Sequence, residues 1–500
     1  MSNAKLVIVG GGLAGLSAGC YARLNGFDVT IVEHNLALGG VCTAWQRGPY
    51  LVDGCIHWLT GGPFDRIYEE LGIIPPVRLH VLDEWMRYRH AKEGWEVSIQ
   101  RDLNATIGAM RELAPEDGDE LARLLEGADR MAGLQPPIEH APEVQDPGAA
   151  LRQIWELRHL AGTFAHYRKP MSVWANEHLK SPRLRGVFRR LLPPETPPLF
   201  LLMFLGYLER GWLSRPIGGT AAFRDALIAR YNALGGQALV HSTVEEILVR
   251  DGRARGVRLT DGTMIDADGV ISTASVPETV FRLLAGRHGA NEWKSRMEHL
   301  QLFDPIVLAS YGVARTLTDQ PSTPIVDAID PLVVGDFRNE YLYLRIYNDD
   351  PAFAPPGHTV VQAMVKTTYD WWATRGTRYT QEKDAAANAI LAAIDAVIPG
   401  VRDDVRMTDI ATPLTYWQAS RSWRGAFEGW IPTSQALAHV PKTLPGLNDF
   451  YLAGQWVEPG GGVPAATMSG RHVVELICAA RKQPFRPVGD AVTHEIAGAH

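Results

Sequence analysis

Gly10, Gly12 and Gly15 fall in the G-x-G-x-x-G spacing, and an acid, Glu33, follows about 20 residues on. Glycines in that pattern hold a phosphate chain. Gly10 permits a tight turn, Gly12 lets backbone approach a pyrophosphate, and Gly15 lets a helix pack closely on the preceding strand. A helix starting there offers free N–H groups and a partial positive charge to the phosphates. Glu33 is placed to accept hydrogen bonds from a ribose. The positioning elements surround these residues: an apolar strand from Lys5 to Val9, a helix from Leu13, and a second strand from Phe27 to Val32 that ends at the acid. Together they predict a dinucleotide-binding α/β unit.

Bulk properties bound the rest. A chain of 500 residues with 46% hydrophobic and 21% charged content can build two or three domains around a large core. A net charge of −7 without a basic cluster gives no reason to expect nucleic acid. The four cysteines, Cys20, Cys42, Cys55 and Cys478, have no C-x-x-C or metal spacing and read as reduced thiols; no metal is expected. The first residues lack the basic and apolar regions of a secretory signal, so a cytoplasmic protein is expected. The longest apolar run, Leu199 to Leu208, would cover about 15 Å as a helix against a bilayer core of about 30 Å. It cannot span a membrane, but it can rest on one.

Along the chain, Gln135 to Pro147 reads as an exposed loop, and about Asp102 to Leu205 as mostly helical. A breaker from Pro193 to Pro198 separates the last two helices of that region. Asp251-Gly252 and Asp261-Gly262 are hairpin turns. Further strands are expected at Ile306 to Val313, Tyr341 to Tyr347 and Thr359 to Lys366, then a helix at Glu382 to Val397. Near the end come the strand Phe450 to Ala453, a Gly460-Gly461-Gly462 turn and a helix from Ala465 to Lys482. No second G-x-G-x-x-G opens a helix, so no dedicated NAD(P)H domain is expected.

After Glu33 comes a second glycine pair, Leu38-Gly39-Gly40, and then Val52-Asp53-Gly54 with His57. This arrangement resembles the FAD-binding fold of flavoprotein oxidases and desaturases. With Trp212, Pro216 to Gly219, Gly235-Gly236, Val244 to Ile247, Gly256 to Leu259, Asp349 to Gly357, Thr412-Pro413, Gly425 to Gly429, Tyr451 to Gly454 and Pro459 to Gly461, it is similar to the phytoene desaturase, carotenoid isomerase and retinol saturase family over about Leu6 to Ala480. Two departures stand out: Gly454-Gln455 where many flavoproteins have Gly-Asp, and Glu458 where desaturases often have His.

The resemblance implies an α/β fold: an FAD-binding Rossmann-type (three-layer ββα) domain from residues 1–75, 206–295 and 413–482. It adds a helical cap over 76–205, a substrate-domain sheet and helix over 296–412, and a tail over 483–500. It implies FAD contacts from Gly10, Gly12, Leu13, Ala14, Gly15, Glu33, His34, Gly39, Gly40, Val41, Val244, Gly454, Gln455, Gly461, Gly462 and Val463. The glycine turn at 460–462 would bring bare backbone and helix N–H groups to the flavin ring. His57, Tyr416 and Arg421 are the acid–base candidates; His57 serves either as a proton donor near neutral pH or as a core histidine.

The implied function is desaturation or saturation of a carbon–carbon double bond in a lipophilic isoprenoid or polyene. The alternatives are a redox-neutral cis–trans isomerase of a polyene, an amine oxidase-like flavoprotein, or a non-catalytic prenyl carrier of the Rab escort and GDP-dissociation inhibitor type. The electron partner is open: a quinone, oxygen or a transient partner. The apolar block Phe200 to Leu208 and the aromatics Trp371, Trp372, Tyr416, Trp417, Trp423 and Trp430 either pack the core or line a greasy substrate tunnel. The same apolar block could touch a membrane surface.

Overall fold

A computed structural model describes residues 3–134, 136–146, 148, 152, 155, 157–434 and 440–488. The strand β1 (Lys5–Val9), the helix α1 (Leu13–Leu24) and the strand β2 (Asp28–Val32) form the expected opening unit. They belong to a five-stranded sheet in the order Gln237–Leu239, β2, β1, Gly269–Ser272, Phe450–Leu452. Every pairing in it is parallel. Leu6, Val7, Ile8 and Val9 are all buried, the unbroken apolar run of a strand covered on both faces.

Two layers provide that cover. On one face, Leu6 and Ile8 meet α1 and the helices Gly219–Ala233 and Gly462–Ala480. On the other, Val7 and Val9 meet an antiparallel sheet of Val244–Arg250, Arg253–Leu259 and Met264–Asp266. This is the three-layer ββα arrangement, assembled from separated stretches of chain.

The second large element is a seven-stranded sheet ordered Val405–Ala411, Ile306–Val313, Thr359–Lys366, Phe337–Ile346, Pro324–Val334, Glu84–His90, Trp95–Gln100. Its pairings are antiparallel except Pro324–Val334 with Glu84–His90. The helix Tyr379–Val397 packs on it through Ala386, Ile390 and Ile394.

Four expectations change. The interval 76–205 is not wholly a helical cap, because Glu84–His90 and Trp95–Gln100 complete the sheet's edge. Their alternation buries Met86 and Tyr88 on one strand and Val97 and Ile99 on the next, a strand period rather than a helical one. The loop before residue 147 is not exposed throughout: Ile138 and Ala141 are buried, and Arg471 Nη1 donates to Ile138 O at 3.0 Å. Residues 483–488 are docked, with the Phe485 ring 5.9 Å from that of Tyr21; residues 489–500 lie outside the described set. Finally, the apolar block lies in the helix Pro198–Glu209, where Leu199, Leu201, Leu202, Leu205, Tyr207 and Leu208 are buried in the cap's core. Core packing, not a membrane-facing surface, uses these side chains. Among the described residues no helix is long and apolar enough to cross a membrane.

Candidate active site

The glycine turn after β1 is built as its spacing requires. A Cβ on Gly15 would lie 2.1 Å from Gly10 O, so only glycine lets α1 start so close to the strand. Gly12 differs: the nearest atom to an added Cβ, Gly40 Cα, is 3.8 Å away. No neighbour demands glycine there; the bare face is turned into an open cleft. The second glycine pair closes on the first, with Gly39 N donating to Gly11 O at 2.8 Å. Helix α1 begins with no side-chain cap, so its first N–H groups face the cleft unspent. Glu33 is buried, and its carboxylate accepts from Gly11 N at 2.6 Å and Asn35 N at 2.8 Å. Burial raises its pKa above the usual carboxylate value, and these N–H groups oppose that rise.

The far end of the cleft is the start of the helix Gly462–Ala480, also without a side-chain cap. The turn before it is held from below by Lys442 Nζ, 1% exposed and 2.7 Å from Glu458 Oε1. Two uncapped helix starts thus look into one cleft of about 1270 Å³, counting the part open to solvent. That is room for an extended dinucleotide, with anion-favouring backbone for the pyrophosphate at one helix and for an electron-rich ring edge at the other. The residues fit FAD.

Gly10, Gly12, Leu13, Ala14, Glu33, His34, Gly39, Gly40, Val41, Val244, Gly454, Gln455, Gly462 and Val463 all line this cleft. Gly15 lies behind the turn and Gly461 caps the final helix without lining it. Gln455 turns its amide to Phe427 O at 3.2 Å. The His34 ring is occupied by Thr243 Oγ1 at 2.8 Å and Gln418 O at 3.1 Å, which leaves its backbone for the cofactor.

The three acid–base candidates separate. His57 does not line the cleft. Its ring stacks on Tyr343 at 5.7 Å, and burial, with Arg345 and Arg215 close by, pushes its pKa down to about 3. It carries no spare proton at neutral pH, which corrects its assignment as proton donor there. Tyr416 packs with Ile306, Leu308 and Ala411, and burial pushes its hydroxyl up, so it too holds its proton tightly. Arg421 lines the cleft at the His34 side, its guanidinium 4.4 Å over the Trp417 ring. That is the nucleotide end, so Arg421 is placed for phosphate or ribose rather than for a reacting carbon.

Sequence reasoning missed Thr273, whose hydroxyl donates to Val9 O and Gly10 O, both at 3.0 Å. It also missed Phe427 and Glu428, which line the cleft together with Gly462 and Val463. Glu428 sits within the Gly425 to Gly429 stretch that carried the resemblance, but its acid side chain was the unused signal. The aromatics do not form one corridor. Trp372 belongs to the seven-stranded sheet's core, while Trp430 and partly buried Trp423 belong to the nucleotide domain's core. Away from the cleft, ligand-type atoms of Glu120, His166 and His178 lie within 4.8 Å of one another, although Glu120 already accepts from Tyr167 at 3.3 Å.

Comparisons with known proteins agree with this geometry. A family model described as flavin containing amine oxidoreductase matches residues 13–478. Prolycopene isomerase 2, chloroplastic, of an Oncidium hybrid cultivar is 22% identical, covering 95% of this chain and 83% of that protein. The neurosporene-forming phytoene desaturase of Rhodobacter capsulatus is 24% identical over 95% of this chain and 94% of its own. An oxidoreductase from Methanosarcina mazei shares the fold at a TM-score of 0.63 and 18% identity, covering 94% of this chain and 100% of that one.

Proposed function

The chain belongs to the flavin containing amine oxidoreductase family, and from that premise we propose that it desaturates or saturates a carbon–carbon double bond of a lipophilic isoprenoid or polyene. FAD is its cofactor, and oxidoreduction is its class of chemistry. Bound FAD supplies hydride transfer at its ring. The chain's own residues do the rest. The N–H groups of Gly462 and Val463 favour negative charge at the ring edge, by about 0.3–1 kcal/mol at an exposed helix end and more when buried.

One observation carries the choice of an apolar substrate. Val41 and Phe427, which line the ring end of the cleft, pack against Ile306, Leu308, Met364 and Ala411 of the seven-stranded sheet. Such a wall excludes water and offers a polyene apolar contact worth roughly 25 cal/mol per Å² buried. The relatives named for phytoene and prolycopene support the same class. Electrons enter or leave by direct access of a quinone, oxygen or a transient partner.

A redox-neutral cis–trans isomerisation is the second reading, supported by the relative named as a prolycopene isomerase. The test incubates the FAD-loaded protein anaerobically with phytoene, and separately with prolycopene plus a flavin reductant, and analyses products by chromatography and mass. A change of two hydrogens supports desaturation or saturation; changed retention at constant mass, only with reductant, selects isomerisation. Unaltered polyenes alongside flavin bleaching by a primary amine would overturn both.

A further inference from the structure

We propose that Glu428 is a catalytic residue, the carboxyl that gives or takes the proton accompanying hydride transfer to or from the substrate carbon. This rests on the flavin oxidoreductase reading above. Glu428 lines the ring end of the cleft, beside the start of the final helix. A Cβ added to Gly461 would stand 3.4 Å from Glu428 Cβ, so that helix start is its immediate neighbour.

What sets Glu428 apart is that nothing holds its carboxyl. Neighbouring acids around the two sheets are committed. Glu33 accepts two backbone N–H groups, Asp53 accepts Thr220 N at 2.9 Å, Asp349 takes two arginines, and Glu70 takes Arg471 at 2.9 Å. Among the described residues, no N–H, hydroxyl or cation bonds Glu428. Glu428 is half-buried in the cleft lining, so its unpaired carboxyl is open to whatever the cleft binds. Burial alone raises its pKa to about 7, which leaves proton-bearing and proton-free forms both accessible at neutral pH.

The chain around it is fixed, so the free carboxyl is not a loose surface group. Ser422 Oγ donates to Ala426 O at 2.5 Å, Gln455 Nε2 to Phe427 O at 3.2 Å, Phe303 N to Gly429 O at 3.1 Å, and Gly460 N to Trp430 O at 3.0 Å. The backbone is pinned on both sides while the acid end projects into the cleft. Other ionisable groups on the elements packed here are poor substitutes. The Tyr343 hydroxyl is pushed up by burial, and His57 behind it is pushed down to about 3. Glu458 is bound to Lys442. Cys42 and Cys55 also line the cleft, with the Cys42 thiol pushed up by its hydrogen bond to Cys55 and by burial, and Arg421 lies at the nucleotide end.

The step balances in either direction. In saturation, reduced flavin would supply hydride to one alkene carbon while Glu428 gives its proton to the other. The π bond would break, the alkene gaining the two electrons that the flavin loses, and solvent would reprotonate the Glu428 carboxylate. The uncapped helix start favours that carboxylate while it lasts. Desaturation runs the same step backwards, with the carboxylate taking the proton.

The test uses FAD-loaded wild type, Glu428→Gln and Glu428→Asp. The wild-type flavin absorbance is expected to titrate with a midpoint near pH 7, and that titration to vanish in Glu428→Gln with FAD still bound. Polyene turnover should fall by about 10²–10⁴-fold in Glu428→Gln and recover in part in Glu428→Asp. A flat wild-type flavin titration, or undiminished turnover in FAD-loaded Glu428→Gln, overturns the proposal. Loss of polyene turnover in the wild type itself, with the titration intact and abolished in Glu428→Gln, would instead overturn the substrate reading and leave Glu428 as the cleft's proton group. If Glu428→Gln does not retain FAD, Glu428→Asp carries the comparison, and an unshifted midpoint with wild-type turnover there counts against the proposal.

Discussion

His57 shows how one residue's environment decides its task. Its sequence setting beside Ile56 and Trp58 was compatible with a proton donor or a core histidine, and burial, with two arginines from distant strands close by, settles which. Arg215 donates to His57 O at 2.9 Å, and Arg345 lies beyond Tyr343's strand position, so the imidazole stays neutral. A pKa held near 3 against about 6.5 when unfolded means that the unfolded chain binds more protons across that window. The stability gained from the neutral ring is therefore complete above about pH 6.5 and lost as pH falls toward 3. At pH 5 the loss is roughly 2 kcal/mol for this group. Thermal melts at pH 7 and pH 5 should show a smaller acid-induced drop in His57→Gln than in wild type. Turnover of His57→Gln with retained FAD should stay within a few-fold of wild type.

At the scale of elements, the opening β1–α1–β2 unit and its glycine turn were legible because local spacing alone specifies them. The strands Ile306–Val313 and Thr359–Lys366 were equally plain, since both are near-continuous apolar runs. Pro324–Val334 was not legible: Pro324, Asp327, Asp330 and Pro331 break its pattern, and its register slips between Asp327 and Leu332. Only its neighbours on both sides make it a strand. Val405–Ala411 was hidden by the exposed Arg406 and Thr408 of a half-exposed edge. In the site, glycines declare themselves by type, whereas Glu428 is identified by what it lacks. The crossing of α1 with the final helix was also invisible in sequence. There a Cβ on Gly470 would fall 2.7 Å from Ser17 Oγ and 2.8 Å from Ala14 O. Gly470→Ala should push the two uncapped helix starts apart, costing about 1–3 kcal/mol in denaturant melts and weakening FAD retention on dilution.

Over the whole molecule, the nucleotide domain and the seven-stranded sheet are joined by a buried ionic clasp. Asp349 accepts from Arg215 and Arg345, each at 2.6 Å, and Arg215 reaches from the strand Leu213–Pro216 to grip the His57 carbonyl as well. Burial would raise the Asp349 pKa, but Arg345 and Arg215 outweigh it and hold the carboxyl below its usual value. Asp349→Asn leaves two buried guanidinium groups facing each other, and should cost about 3–5 kcal/mol in equilibrium unfolding. Replacing Arg345 with Met in the same chain should recover part of that loss, which a double-mutant cycle reads directly. The order of assembly follows from the sheet. Its last strand, Phe450–Leu452, and the helix that closes the far wall come some 450 residues after the first glycine turn. A ribosome adding roughly 5–20 residues per second would present that turn tens of seconds before its counterpart emerged. Prosthetic-group capture therefore waits for that late helix, and a polypeptide terminated before it never reaches that stage.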